Sequence, residues 1–263
     1  FGGFRSDTSI AGAYAQLLGR PADLLDVTAA VRYDDHSRFG GFLTGRLSFA
    51  YQATDSLTLR GQVARGFRAP SNFELFSAFG DPTMDAETSV SVEAGADYRH
   101  ANCRTVAATL FQVRTDGTTD YDTVTARYAQ IEASRSRGVE LFADIPITDR
   151  ASVTLAYTYT DANITEGPSA GSRVERVPRH NMTLGADLQI LDRLSGSASL
   201  THVADRTGGL ADYTTVDLGF RYGLTDTADL TLRATNLFDQ DRQQVRGYKT
   251  PGRAFYLGLS SRF

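Results

Sequence analysis

The feature that most restricts this chain is a two-residue alternation of apolar and polar side chains, repeated from one end to the other. Val153, Leu155, Tyr157 and Tyr159 fall on one side of an extended segment, and Ser152, Thr154, Ala156, Thr158 and Thr160 on the other. The same pattern sets Met182, Leu184, Ala186, Leu188 and Ile190 against Asn181, Thr183, Gly185, Asp187 and Gln189. It returns in Val216, Leu218, Phe220 and Tyr222, and again in Val90, Val92, Ala94 and Ala96. Successive side chains of a strand point to opposite faces, so this period belongs to β-structure. No helix-sized window holds a 3.6-residue period. The alternation predicts about thirteen strands, near 8–18, 24–34, 41–51, 56–66, 87–99, 103–120, 127–147, 151–161, 180–190, 194–204, 213–223, 229–238 and 253–263. Each has at least roughly the 9–11 residues that a tilted membrane-crossing strand needs.

The connections point the same way. Short ones (Gly19–Ala22, Gln52–Asp55, Arg99–Asn102, Thr148–Arg150, Leu191–Arg193, Leu224–Thr227) alternate with longer ones near 34–40, 67–86, 121–126, 162–179, 205–212 and 239–252. A soluble sandwich has no reason to gather its long loops at one end, whereas outer-membrane barrels have short periplasmic turns and longer external loops. An odd number of strands does not close an ordinary bacterial barrel, so the chain reads as part of one, with its first and last strands as edges.

Composition is compatible with this fold. Mean hydropathy is −0.27, which argues only against helical membrane proteins, because a barrel strand averages its lipid-facing and lumen-facing residues. No run approaches the ~18 apolar residues of a transmembrane helix. Phe1–Ser6 has no signal-peptide pattern, so an exported chain starting there reads as a mature product or a fragment. The formal charge of −4 provides no basic footprint for nucleic acid. A single cysteine, Cys103, allows no intrachain disulfide. His36, His100, His180 and His202 lack metal-ligand spacing, and Asp116, Asp120 and Asp122 lack the glycine and spacing of a calcium loop. Metal and cofactor are therefore both expected to be absent, and no nucleophile or carboxylate pair points to an enzyme. Charged residues at inward positions, among them Arg46, Arg60, Glu93 and Asp217, do not fit a small packed interior, because burying unpaired charge costs several kcal/mol. A wide lumen accommodates them.

Several strings carry a resemblance. Arg65-Gly-Phe-Arg-Ala-Pro-Ser-Asn-Phe-Glu-Leu-Phe76 is similar to the "GFRAPS…ELF" stretch of TonB-dependent receptors. Arg137-Gly-Val-Glu140, Pro178-Arg-His180, and Asn236-Leu-Phe-Asp239 with Gly247-Tyr248 and Pro251-Gly-Arg253 resemble further barrel motifs of that family, in the expected order. The last strand, with Gly258 and a terminal Phe263, resembles the signal read by the barrel-assembly machinery, although Ser261 stands where a hydrophobic residue is usual. The resemblance covers essentially residues 1–263. It implies an all-β fold: the C-terminal portion of a transmembrane antiparallel β-barrel, about the last thirteen of 22 strands. The implied place is the bacterial outer membrane, in contact with its lipid, and the implied partners are the receptor's own N-terminal plug and early strands and the TonB–ExbB–ExbD complex. The implied activity is TonB-energised uptake of a scarce small-molecule nutrient, a ferric siderophore or a cobalamin-like ligand. Arg68, Asn72, Phe73, Glu74 and Phe76 are the expected ligand contacts on an external loop. Arg46, Arg60, Glu93 and Asp217 are the expected contacts to the plug. The rival readings are a passive porin or barrel enzyme, and a soluble all-β binding module. The first should lack this motif series, and the second needs long loops at both ends and faces that bury against another sheet.

Overall fold

The computed structural model describes residues 6–100, 104–122 and 125–262. Strands β1 (Ile10–Ala22), β2 (Leu25–His36), β3 (Gly40–Thr54) and β4 (Leu57–Arg68) precede a one-turn helix α1 (Asn72–Phe76). There follow β5 (Glu87–Arg99), β6 (Thr105–Asp122), β7 (Arg127–Thr148), β8 (Ala151–Glu166), β9 (His180–Leu191), β10 (Leu194–Ala204), β11 (Tyr213–Gly223) and β12 (Ala228–Thr235). The last connector contains a small ribbon, β13 (Gln243–Val245) with β14 (Tyr248–Lys249), before β15 (Ala254–Ser261). The main sheet has thirteen strands in sequence order, β1 to β12 and then β15, as the alternation predicts.

Connectors differ in detail from the sequence expectation. β2 and β3 run on until only residues 37–39 separate them, and β6 and β7 until only 123–126 remain. The long connectors are 69–86, 167–179, 205–212 and 236–253. Three of the short turns are closed by a threonine hydroxyl accepting the N–H two residues on: Thr54 from Ser56, Thr148 from Arg150 and Thr225 from Thr227. Such local side-chain bonds stand in for backbone turn bonds. Neighbouring short turns are also tied by exposed ion pairs, Arg150–Asp192 at 3.2 Å and Arg193–Asp226 at 3.0 Å. Pairs so exposed contribute about 0–1 kcal/mol each.

The chain divides into two compact units, one built from residues up to Ala96 with Leu110–Arg137 and Asp161–Val174, the other from Asp97–Thr109, Gly138–Thr160 and Glu175 onward. In each, antiparallel pairing places directly opposed residues on one face. In the second unit Leu155, Leu184, Leu200 and Val216 form one cross-strand row, and Leu188, Gly196, Phe220, Leu232 and Leu257 another. The opposite face carries Ser152, Asp187, Ser197, Gly219 and Arg233 in register. In the first unit Leu17, Ala29, Leu47 and Val63 share a row, while Asp26, Ala50 and Arg60 share a row on the reverse face. Leu184 and Leu47 are 41% and 52% exposed. An apolar face this open is stable in hydrocarbon and unstable in water. Gly61 lies on it opposite Phe49, whose ring covers the glycine so closely that a Cβ would stand 2.7 Å from it. The ring covers the backbone that the missing side chain leaves bare.

Candidate functional site

The connector between β4 and β5 is built as a small core. Ser71 caps α1: its hydroxyl accepts from the Glu74 N–H at 3.3 Å, and the Glu74 carboxylate accepts the Ser71 N–H at 2.7 Å. This reciprocal box satisfies two amides that a one-turn helix leaves open. Leu75, on the far side of the turn, is 1% exposed, and Met84 is buried as well. Gly80 folds against α1 so tightly that a Cβ would lie 2.7 Å from the Leu75 carbonyl carbon. Gln130 clamps the loop, accepting from Asp85 N–H and donating to the Asp85 and Gly117 carbonyls.

Each expected ligand contact has a defined place here. Arg68 donates to both oxygens of Glu74, at 3.0 and 3.1 Å, and to Glu87 at 2.5 Å. One guanidinium thus serves two carboxylates. Burial alone would push the Glu74 carboxyl up, but bonds from Arg68 and Ser71 outweigh it and hold Glu74 below the usual range. Asn72 donates to the Ser6 carbonyl at 3.1 Å. Phe76 lies 5.0 Å beneath the Arg38 guanidinium, which also reaches the Pro82 carbonyl at 2.6 Å. Phe73 is the open member, 51% exposed, its ring edge-on to Tyr128 at 6.1 Å. Tyr128 and Tyr121 pack edge-on at 5.3 Å, and Phe79 meets Tyr121 at 6.3 Å. Sequence reasoning singles out neither tyrosine, nor Arg38, nor Gln130. The tyrosines flank the β6–β7 connector, and only the fold brings that connector to α1.

The expected inward residues separate into groups. Arg60 and Glu93 line one cavity of about 330 Å³ on the polar face of the first unit, with Asp26, Thr28, Ser48 and Gln62. Arg46 lines another of about 440 Å³ with Tyr14, Gln16 and Arg32. Asp217, in the second unit, accepts the Asn236 N–H at 2.7 Å and so also serves the last long connector. Near the short turns of that unit, a cavity of about 600 Å³ is lined by Arg150, Asp187, Gln189, Arg221 and Arg233 together with apolar residues such as Leu188 and Phe220. On β15, Gly258 stands opposite Thr231, with Phe255, Leu257 and Leu259 on the reverse face. Phe263 lies outside the described residues.

The connector after β12 shows what the Asn236-Leu-Phe-Asp239 motif does. Asn236, 3% exposed and with φ of 48°, donates to the Gln240 carbonyl and accepts the Gln240 N–H, both at 2.9 Å. Asp239 accepts the Arg253 N–H at 2.7 Å, closing the base of the loop. In the same unit Arg206 and Arg242 both stack on Tyr213, at 5.2 and 5.3 Å from its centroid. Arg206 also donates to the Ala211 and Gln243 carbonyls and so ties the ribbon to the 205–212 connector. The tip of the ribbon is open, with Tyr248 74% exposed. Asp116 pairs with Arg114, and Asp122 accepts from Thr125. Among the described residues no group of three or more His, Cys, Asp or Glu could hold a metal.

A family model described as TonB dependent receptor-like, beta-barrel, matches residues 2–237. The iron-regulated outer membrane virulence protein of Vibrio cholerae serotype O1 is 26% identical over 278 residues, a match that takes in 92% of this chain and 43% of that protein. A mutant ferric enterobactin receptor of Pseudomonas aeruginosa, solved with enterobactin, superposes with a TM-score of 0.81 at 21% identity, covering 97% of this chain and 45% of the receptor. The siderophore receptor PirA of Acinetobacter baumannii gives 0.80 at 20% identity, with 97% and 46% coverage. The chain therefore spans somewhat less than half the length of each of these relatives.

Proposed function

Because this chain belongs to the TonB-dependent receptor family, as a stretch of its β-barrel, we propose that it forms wall and ligand-gathering mouth in a receptor that imports a ferric siderophore. Its place is the bacterial outer membrane. The observation that carries the reading is the division of labour along each strand. One face is apolar and open, the other polar, and the long connectors are folded into defined structures rather than left as linkers. That is the construction of a membrane wall with a selective entrance.

In this reading the rest of the receptor supplies the plug and early strands, which cover β1 and β15, because bare backbone groups in hydrocarbon cost several kcal/mol each. The plug faces Arg46, Arg60 and Glu93, and energy arrives through TonB–ExbB–ExbD. Of the two ligands that the sequence suggests, iron chelates are favoured, since relatives in both comparisons are named for iron or siderophores. Phe73 and the aromatic cluster behind it offer an apolar contact to such a chelate. Arg68, held between Glu74 and Glu87, sets the cluster's edge.

The test is uptake in cells whose only receptor is the one containing this chain, with radiolabelled ferric enterobactin and cyanocobalamin as probes. Saturable uptake of the iron chelate that disappears when TonB is inactivated supports the proposal. Uptake that persists without TonB points to a porin and overturns it. Cobalamin uptake without chelate uptake reverses the choice of ligand.

A further inference from the structure

The outer face of the second unit changes character at one end. Along β9 the outward residues run Ile190, Leu188, Ala186, Leu184, Met182 and then His180. From Ile190 to His180 is about 33 Å at roughly 3.3 Å per residue. A strand tilt of about 40° reduces this to about 25 Å, the height of the apolar band of an outer-membrane barrel. His180 therefore stands where the hydrocarbon ends, at the long-loop side. In register beside it are Tyr159 and Ala204, and one row lower lie Tyr157, Met182, His202 and Thr214. The row beneath these is wholly aliphatic: Leu155, Leu184, Leu200 and Val216.

Both histidines are held by hydroxyls on neighbouring strands. His180 Nδ1 lies 2.8 Å from the Tyr157 hydroxyl, and His202 Nδ1 lies 2.8 Å from Thr214 Oγ1. The Tyr159 ring tilts against His180 at 5.3 Å, and Tyr157 stacks on it at 6.1 Å. A hydroxyl that donates to Nδ1 leaves the ring hydrogen on Nε2, and that N–H then requires an acceptor of its own. His180 and His202, on adjacent strands, form a pair at the boundary between acyl chains and headgroups, and each offers an Nε2–H donor in the tautomer whose Nδ1 accepts the hydroxyl.

We propose that His180 and His202, oriented by Tyr157 and Thr214 and flanked by Tyr159, bind the phosphate of an outer-leaflet lipid headgroup. An acyl chain lying along Leu155, Leu184 and Leu200 brings its headgroup to this height, and a phosphate offers several acceptor oxygens to the two Nε2–H groups. Tyrosine suits the same boundary, with an apolar ring and a polar tip. The site is separate from the mouth, and its success or failure leaves the ligand reading untouched.

The experiment uses the complete receptor containing this chain, purified from outer membranes, stripped of lipid in detergent and titrated with diphosphorylated lipid A or the same lipid dephosphorylated. Wild type should prefer the phosphorylated lipid by about a hundredfold or more, the order expected from two hydrogen bonds to a charged group. The H180L/H202L variant should lose the preference while keeping heat-modifiable migration. Y157F removes a single oxygen and should lose part of the preference, which decides the matter even if the double variant fails to assemble. An unchanged preference in Y157F and in an assembled double variant overturns the proposal. So does equal binding of both lipids by wild type. Competition by inorganic phosphate as strong as that by the lipid would show a free-phosphate site and also overturn it.

Discussion

Two long connectors of this chain reach order by opposite means. Residues 69–86 fold around an apolar centre: Leu75 and Met84 are buried, α1 is capped, and aromatic rings close over it. Residues 236–253 have no such centre. They are fastened at the base by Asn236, Asp239 and Arg253, while the ribbon tip stays in solvent. The lesson is that a long connector can be made rigid throughout or only at its root. A connector with its own core resists change along its length, whereas one held by a polar clasp leaves its tip open to contact and to substitution.

The strongest way to break this comparison is L75A. Removing a fully buried leucine from a small centre should cost about 2–5 kcal/mol, with most of the loss local to 69–86. Amide hydrogen exchange in 74–86 should rise sharply while 236–253 keeps its protection. Equal exchange in L75A and wild type would show that the loop is not held by that centre. N236A attacks the other connector. It loses two hydrogen bonds and places alanine at a left-handed φ, together about 1–3 kcal/mol. Exchange should then rise in 237–253 and nowhere else. N236G restores the backbone freedom without the bonds and should lie between the two. If N236G matches wild type, the clasp is conformational rather than hydrogen-bonded.

The strands are plain in the sequence because alternation is local and repeats. Leu155, Leu184 and Leu188 announce their face from their neighbours alone. Helix α1 is not among the expected elements, since five residues carry no period, yet Ser71 and Glu74 at capping-box spacing after Pro70 are an available signal. The ribbon has one as well, in Gly247 between Val245 and Tyr248; that glycine takes φ of 86°. The clamp by Gln130 and the packing of Tyr121 and Tyr128 near α1 have none. The Gln130 clamp joins residues 45 positions apart, and nothing local to a glutamine tells which carbonyl it will reach. The expected ligand contacts show the same limit. In sequence Arg68 and Glu74 read as loop side chains that reach a ligand, and the fold pairs them with each other.

A smaller effect is expected from acid. The Glu74 carboxyl is held below its ordinary value of 4.5, so its contribution is complete above that value and is lost as the pH falls below it through the lowered one. Exchange in 71–80 should therefore increase on acidification before the strands respond. E74Q should remove the pH dependence of this loop and cost about 1 kcal/mol, because glutamine still accepts the Ser71 N–H but the bonds from Arg68 lose their charged acceptor. A loop whose protection in wild type does not change across the acid range would show that the Glu74 bonds do not hold it.

The smallest structural effect, and the sharpest functional one, is expected at the ribbon tip. Tyr248 is 74% exposed and its side chain closes no core, so Y248A should change stability by no more than about 0.5 kcal/mol. The tip nevertheless presents an aromatic ring between Arg246 and Lys249, and the clasp below holds it in place. An anionic iron chelate meeting such a tip gains a ring face and nearby positive charge. Y248A should therefore weaken ferric enterobactin binding to the complete receptor while leaving hydrogen exchange in 236–253 unchanged. Y248F should retain most of the affinity, because the contact is to the ring. The matching change in the other connector, F73A, separates the two designs. Phe73 is exposed but leans on Tyr128, so its loss should lower affinity and loosen 69–86 together. If Y248A loosens its own connector as much as F73A does, the clasp does not isolate the tip, and the contrast between the two connectors fails.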